Sequence, residues 1–329
     1  MVAALSPSRA SDFMQCPLLY RFRVIDKLPE PPSPAAARGT LVHSVLERIF
    51  DVEAPQRTLE HALSLVPHAW EDMLAEEPEL AELAGGTPHD LATWLRDAEK
   101  LVEKWFDLEN PQHLEPAERE LYVEADLDGL TLRGYIDRLD VAPGGQIRVV
   151  DYKTGRSPSE LFEGKALFQM KFYALVIWRT RGVMPLMLQL VYLGNSQFVR
   201  YQPDEDDLRA LERKITALWR AIERAAQTGD WRPRKSFLCG WCDHKALCPA
   251  WGGTPPPLPD NAGVLALDPH SSADLGDVDG DLRPALQRVM ESCGLAPPDV
   301  VRGRKVRGSV VDARGRQGRA PRPRCRSGE

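Results

Sequence analysis

Apolar residues recur at helical spacing through the first third of the chain and then begin to alternate, a change of period that separates helices from strands. A short helix is predicted over 6–15, with Ser6 or Ser8 as N-cap and Phe13 inward; it delivers Cys16, and Pro17 marks its boundary. The proline-rich run 29–34 is a connector. From 38 to 51, Leu41, Val45, Leu46 and Ile49 share one helical face. Further helices are predicted over 58–78 and 88–108, separated by a loop at 84–87. Leu121, Val123 and Ala125 then alternate in a strand over 119–126. Asp128-Gly129 turns it into a second strand over 130–141, and Pro143-Gly144-Gly145 leads to a third over 147–153. A helix over 158–181, strands over 187–193 and 197–201 around Gly194-Asn195, and an amphipathic helix over 204–227 follow. The expected fold is mixed α/β, a mixed central sheet flanked by helices.

After Trp251 the pattern lapses. The run GGTPPPLPDNA reads as a linker, one weak helix is expected near 281–293, and the Arg-Gly-rich end lacks apolar residues for a core. The expected division is a folded domain over 1–252 and a mostly disordered basic tail over 253–329. At 43% apolar and 27% charged residues, the composition is that of an ordinary globular protein. No apolar run approaches the ~20 residues that span a bilayer, and residues 1–11 lack a signal-peptide pattern, so a cytoplasmic protein is expected. Residues 301–329 carry ten Lys and Arg against two Asp and Glu, net +8, leaving −14 on residues 1–300 of the −6 total. Nucleic acid would therefore meet a local groove, with the basic tail as a salt-sensitive tether. No G-x-x-x-x-G-K-[ST] phosphate loop is present, which disfavours a self-contained motor.

Four cysteines bear on metal chemistry: Cys16, and Cys239, Cys242 and Cys248 in CGWCDHKALCP, while Cys293 and Cys325 stand apart. A C-x2-C pair with a third cysteine six residues on has ligand spacing, and in a reducing compartment metal ligation is favoured over disulfides. The spacing suits either tetrahedral zinc or a four-iron cluster.

Asp151 and Lys153, two apart on a strand, project to one side, and antiparallel pairing can bring Asp137 beside Asp151. Two carboxylates beside an ammonium suit Mg2+ or Mn2+, which can lower the pKa of water and stabilise phosphoryl charge while Lys153 orients the attacking oxygen. His43 and Glu47, four apart, can face one ligand or simply form a solvated helix face. Gln169 and Tyr173 repeat that spacing; they could bond a phosphate, orient the lysine, or anchor a helix to the sheet.

The ordered set is Ser6-x-Ser8-x4-Phe13-x2-Cys16-Pro17, Gly39-Thr40-Leu41-Val42-His43, Gly134-x2-Asp137-Arg138, Asp151-x-Lys153-Thr154-Gly155, Gln169-x3-Tyr173 and Cys239-x2-Cys242-x5-Cys248-Pro249. It resembles the PD-(D/E)XK nuclease superfamily, specifically the RecB-like branch with an iron–sulfur cluster, to which AddB-like and CRISPR-adaptation nucleases belong. The resemblance spans about residues 4–250; Ile136 stands where many members have proline. It implies a restriction-endonuclease-like core with His43, Asp137, Asp151 and the backbone carbonyl of Tyr152 as metal ligands. Lys153 is then the catalytic lysine, with Gln169 and Tyr173 on the active-site helix. Cys16, Cys239, Cys242 and Cys248 become ligands of a 4Fe–4S cluster stapling the two ends of the domain, in place of zinc.

The activity implied is a Mg2+- or Mn2+-dependent deoxyribonuclease, of exonuclease type, acting on single-stranded or end-containing DNA in repair or recombination. The branch's helicase half is missing, so the chain either cuts alone or serves a separate helicase. Arg138, Arg156, Lys165 and Lys171 are candidate phosphate contacts. The competing expectations are a nonenzymatic DNA-binding subunit with a structural cluster, and a zinc-stapled hydrolase of another phosphate ester.

Overall fold

The computed structural model describes residues 3–157 and 163–267, giving the backbone alone at 163–166. In chain order the elements begin with β1 (Ala3–Leu5), α1 (Pro7–Gln15), α2 (Pro17–Tyr20), α3 (Pro34–Arg48), α4 (Leu59–Glu76) and α5 (Pro88–Leu108). They continue with β2 (Glu118–Leu127), β3 (Leu130–Val141), β4 (Ile147–Lys153), α6 (Glu163–Arg181), β5 (Met187–Tyr192), β6 (Gln197–Tyr201), α7 (Glu205–Thr228) and α8 (Ala262–Leu267). Three helices open the same way, with a hydroxyl residue as cap and a proline in the first turn. Ser6 accepts from the Arg9 N–H ahead of α1, Ser33 from Ala36 ahead of α3, and Thr87 exchanges bonds with Asp90 ahead of α5. Proline is harmless there because the first helical N–H groups have no intrahelical partner.

The six strands form one mixed sheet, and β3 organises it. Along one edge β3 pairs with β2 throughout. Its other edge is shared: β1 runs parallel against Leu130–Leu132, and β4 runs antiparallel against Arg138–Val141. Residues 133–137 lie between these two partners, and the active residues gather at this break. Beyond β4 the sheet continues through parallel β5, reached over α6, and antiparallel β6. Each face buries its own core. Leu41, Val45, Trp70, Trp94 and Trp105 pack on Val150, Tyr152 and Val191. On the other face Phe172, Val176, Ile215 and Ile222 pack on Val149, Leu188 and Leu190.

Two expectations change. The segment after Trp251 does not leave the domain at 253: Arg21 donates to the Pro256 carbonyl at 2.5 Å, Tyr20 to Ala266 at 2.8 Å, and Ala262 and Ala266 are buried. The linker prolines hid it, since its anchors are backbone carbonyls and small alanines with little hydrophobic signal. The tail from 268 onward, including the helix expected at 281–293 with Cys293 and Cys325, lies outside the described residues. The second change is an addition: past the expected boundary at Pro17, where no element was predicted, α2 runs into a π-helical turn over Arg21–Ile25. Among the described residues no helix is long and apolar enough to cross a membrane.

Candidate active site

Inward-facing residues on β3 run Leu130, Leu132, Ile136 and then Leu139, so the alternation slips by one within a single strand. The slip falls at Asp137. The ladder pairs Arg119 with Arg138 and Leu121 with Ile136, and between these pairs Glu120 takes a positive φ of 41°. A left-handed backbone is costly for a glutamate and persists only where its surroundings impose it. The result sets Glu120 and Asp137 side by side beneath His43 of α3. The imidazole Nδ1 lies 3.5 Å from Asp137 and 3.9 Å from Glu120. Ligand atoms of these three residues all fall within 4.8 Å of one another, the one such group of histidine, cysteine and carboxylate residues among the described residues.

The other nitrogen of His43, Nε2, sits 3.0 Å from the Tyr152 carbonyl. A carbonyl only accepts, so Nε2 carries the proton and Nδ1 presents its lone pair to the carboxylates, the tautomer a cation requires. The strands β3 and β4 part just here. Past the Arg138–Val150 pair, the Tyr152 N–H donates to the Asp137 carboxylate at 2.6 Å instead of to a strand carbonyl.

Asp151 follows on β4 and is 1% exposed. Apart from the Lys153 ammonium at 2.6 Å, neither of its oxygens receives a hydrogen bond. Burial, then the nearby charge of Asp137, pushes its carboxyl up to about 6, although Lys153 and His43 pull the other way. Burial, with Asp137, Glu47 and Asp151, pushes Glu120 up to about 8. Burial pulls the Lys153 ammonium down, but Asp151 and Asp137 outweigh it and hold the lysine above its usual value, hence charged. A bound divalent cation answers these features: it supplies the missing partner of Asp151 and the missing charge among Asp137, Glu120 and Asp151.

Behind Lys153 stands α6. The ammonium donates to Gln169 Oε1 at 3.1 Å, and Gln169 Nε2 donates to the Tyr173 hydroxyl at 3.0 Å. The pair thus reaches the lysine, while buried Tyr173 also anchors α6 to the sheet. The chain continues to Gly134, where a Cβ would meet Tyr173 Cε1 at 2.7 Å. Gly134→Ala is therefore expected to displace Tyr173, loosen the Gln169–Lys153 chain and lower kcat by roughly tenfold, as small misplacements of positioning groups do. Cleavage kinetics together with circular dichroism on the same preparation check it; unchanged kcat in a folded variant would remove Tyr173 from the relay.

Residues 4–249 match a family model described as the PD-(D/E)XK nuclease superfamily. The chain belongs to the PD-(D/E)XK nuclease superfamily. Two mycobacteriophage proteins are similar to it. The Gene 69 protein of phage D29 is 30% identical over 268 residues, and that of phage L5 is 26% identical over 286; each alignment covers 75% of this chain and 96% of the phage protein. Among solved structures, a protein of Eubacterium rectale named as an exonuclease is 14% identical, covering 74% of this chain and 88% of that one with a TM-score of 0.49.

Within this nuclease the expected site residues distribute unevenly. His43 and Asp137 join directly, Asp151 and Lys153 stand beside them, and the Tyr152 carbonyl is engaged by the imidazole. Glu47, one turn along α3, contributes charge near Glu120 but lies outside the compact group. Glu120 itself was hidden, because its place beside Asp137 comes from the pairing of β2 with β3, in which the two acids lie opposite each other between the Arg119–Arg138 and Leu121–Ile136 pairs.

Two of the candidate phosphate contacts are engaged by acidic residues instead, one of them fully buried. Arg138 is 1% exposed and spent on the reverse face of the sheet, donating to Glu109 at 2.8 and 2.9 Å, to Asp140 at 3.1 and 3.3 Å, and to the Tyr152 hydroxyl. It braces the strand from behind so that its neighbour Asp137 faces the site. Lys171 donates to Asp207 and Tyr201, tying α6 to the start of α7. Arg156 is exposed just past β4, and the Lys165 side chain lies outside the described residues.

The four cysteines Cys16, Cys239, Cys242 and Cys248 are free thiols lining one cavity, although no three of their sulfurs come within 4.8 Å of one another. The Arg234 N–H donates to Cys16 Sγ at 3.3 Å and the Ser236 N–H to Cys239 Sγ at 3.4 Å. The Ser236 bond leads the causes that hold Cys239 below its usual value. Burial, and then the other three thiols, push Cys242 up against the opposing His244 N–H.

Proposed function

We propose that this chain is a divalent-metal-dependent deoxyribonuclease, an exonuclease on single-stranded or end-containing DNA in repair or recombination, working in the cytoplasm and able to serve a separate helicase. The observation that carries it is the buried Asp151 carboxylate, whose one partner is the Lys153 ammonium, set near the group of His43, Glu120 and Asp137. His43, Asp137, Glu120, Asp151 and a free lone pair of the Tyr152 carbonyl would hold Mg2+ or Mn2+. When bound, the cation supplies positive charge against the phosphoryl oxygens during in-line displacement. The chain's own part is positional. Lys153, kept charged by its two aspartates and aimed by Gln169 and Tyr173, orients the attacking oxygen and stabilises the negative charge on the phosphoryl oxygens. Arg156, exposed just past β4, suits a phosphate contact.

We also assign the four cysteines to a 4Fe–4S cluster. Tetrahedral zinc at Zn–S ~2.3 Å brings sulfurs to about 3.8 Å apart, tighter than the spacing around this cavity, whereas a four-iron cluster suits wider spacing and backbone donors on sulfur. Iron and sulfide analysis of anaerobically prepared protein should give both elements; zinc without sulfide would favour the tetrahedral alternative. The nuclease reading is tested on end-labelled single- and double-stranded DNA across a metal series. Cleavage is expected with Mg2+ or Mn2+ and absent in Asp151→Ala; wild type that binds DNA yet never cuts would make the chain a binding subunit.

A further inference from the structure

Between β1 and β4, where the edge of β3 has no strand partner, a cavity of about 380 Å3 opens beside the active-site helix. That volume lies in the ~300–1,000 Å3 range of ligand sites. Ser6, Ser8 and Arg9 line it from the turn into α1, and Tyr122, Arg133 and Tyr135 from β2 and β3; Gln169 and Tyr173 form the wall shared with Lys153. Its chemistry is specific. Arg9 and Arg133 are each 8% exposed, so two guanidinium side chains are built into its lining rather than spread on the surface. Tyr122 and Tyr135 stand with ring centroids 5.3 Å apart, tilted by 57°. Planar cationic donors match phosphate oxygens, aromatic rings accept the face of any base, and hydroxyls add adaptable donors.

We propose that this cavity receives the nucleotide flanking the scissile phosphodiester, its phosphate held by Arg9 and Arg133 with the Ser6 and Ser8 hydroxyls and its base laid against Tyr122 and Tyr135. The assignment rests on the nuclease reading for the identity of the strand. It gives the Ser6-x-Ser8-Arg9 segment a task of its own beside that of delivering Cys16. The shared Gln169–Tyr173 wall sets the seated nucleotide against the residues that aim Lys153.

The test uses the full chain and fluorescein-labelled oligo(dT), with anisotropy read in EDTA across a salt series and cleavage kinetics read with Mn2+. Arg133→Gln is expected to weaken binding by about 10- to 100-fold, the worth of a charge-assisted hydrogen-bonded contact. It should also flatten the slope of log Kd against log salt by about 0.7. Ser8→Glu guards against misfolding: at the second position of α1 a carboxylate favours the helix but repels phosphate, so binding should fall while Tm holds or rises. Both variants should bind Mn2+ in calorimetry as the wild type does, with the loss in KM more than in kcat. Wild type that cuts DNA with both variants unchanged in Kd and KM overturns the pocket and leaves the nuclease reading standing. Wild type that never cuts, yet loses oligonucleotide affinity in both variants, overturns the nuclease reading and leaves a nucleotide pocket. No measurable oligonucleotide binding by the wild type overturns the pocket as well.

Discussion

Asp151→Asn abolishes cleavage, a loss on the order of a thousandfold or more, and at the same time makes the metal-free protein more stable than wild type at pH 8. The two effects share a cause. In the folded chain the carboxyl is pushed up to about 6 from its ordinary 3.8, chiefly by burial. Between those values the folded state holds a proton that the unfolded state has released, so stability falls as pH rises through that window and stays lower above it. Glu120, pushed from 4.5 up to about 8, carries the decline further toward alkaline pH. Asparagine keeps the shape and has no proton to lose, so the variant lacks Asp151's share of the slope. Thermal melts in EDTA at pH 5 and pH 8 check this: the wild type should be less stable at pH 8, with a smaller gap in the variant. A variant less stable than wild type at pH 8 would show that the Lys153 ion pair already compensates the carboxylate, and that nothing at this position awaits a cation.

Arg138→Ala gives the largest loss of stability. Glu109, 7% exposed on its side chain, would remain buried without the guanidinium that pairs both its oxygens, and Asp140 would keep only Arg148. Breaking a buried ion pair from one side costs ~3–5 kcal/mol, a large part of the ~5–15 kcal/mol that holds a typical domain together. The expected outcome is a fall in Tm of roughly 6–20 °C, or insoluble protein. Arg138→Lys should recover part of it, since one ammonium cannot serve Glu109, Asp140 and Tyr152 together. If instead Arg138→Ala melts like wild type and only loses DNA affinity, the residue is the phosphate contact that its place in the motif suggests.

That contrast shows what the amino-acid order carries and what it conceals. Helices α1 and α5 and strands β3, β4 and β6 were legible because caps, turn glycines and period agree within each segment. The carboxylates on β3 and β4 and the lysine were legible because strand parity and a short connection suffice to bring them together. Glu120 was not, since its role depends on lying opposite Asp137 in the pairing of β2 with β3, which no local pattern states. Arg138 reads like any other arginine beside an acidic motif; its burial is decided by Glu109 at the end of α5, a distant partner that no local pattern announces. Strand β1 is too short for alternation to register, and Arg9 and Arg133 join only because β1 and β4 divide one edge of β3.

That division of the β3 edge also bears on how the molecule assembles as it is synthesised. β1 leaves the ribosome first but has no partner until Leu130–Leu132 has followed, and the Tyr20 hydroxyl waits longer still, for the Ala266 carbonyl. The amino-terminal helices must therefore remain unseated through most of translation, a long-range topology of the sort that folds slowly and leans on chaperones. A nascent chain halted after its catalytic strands would already hold Asp137, Asp151 and Lys153, yet it would lack the segment around Ala266 that locks the first helices down, so cutting power should mature only once that segment has been made.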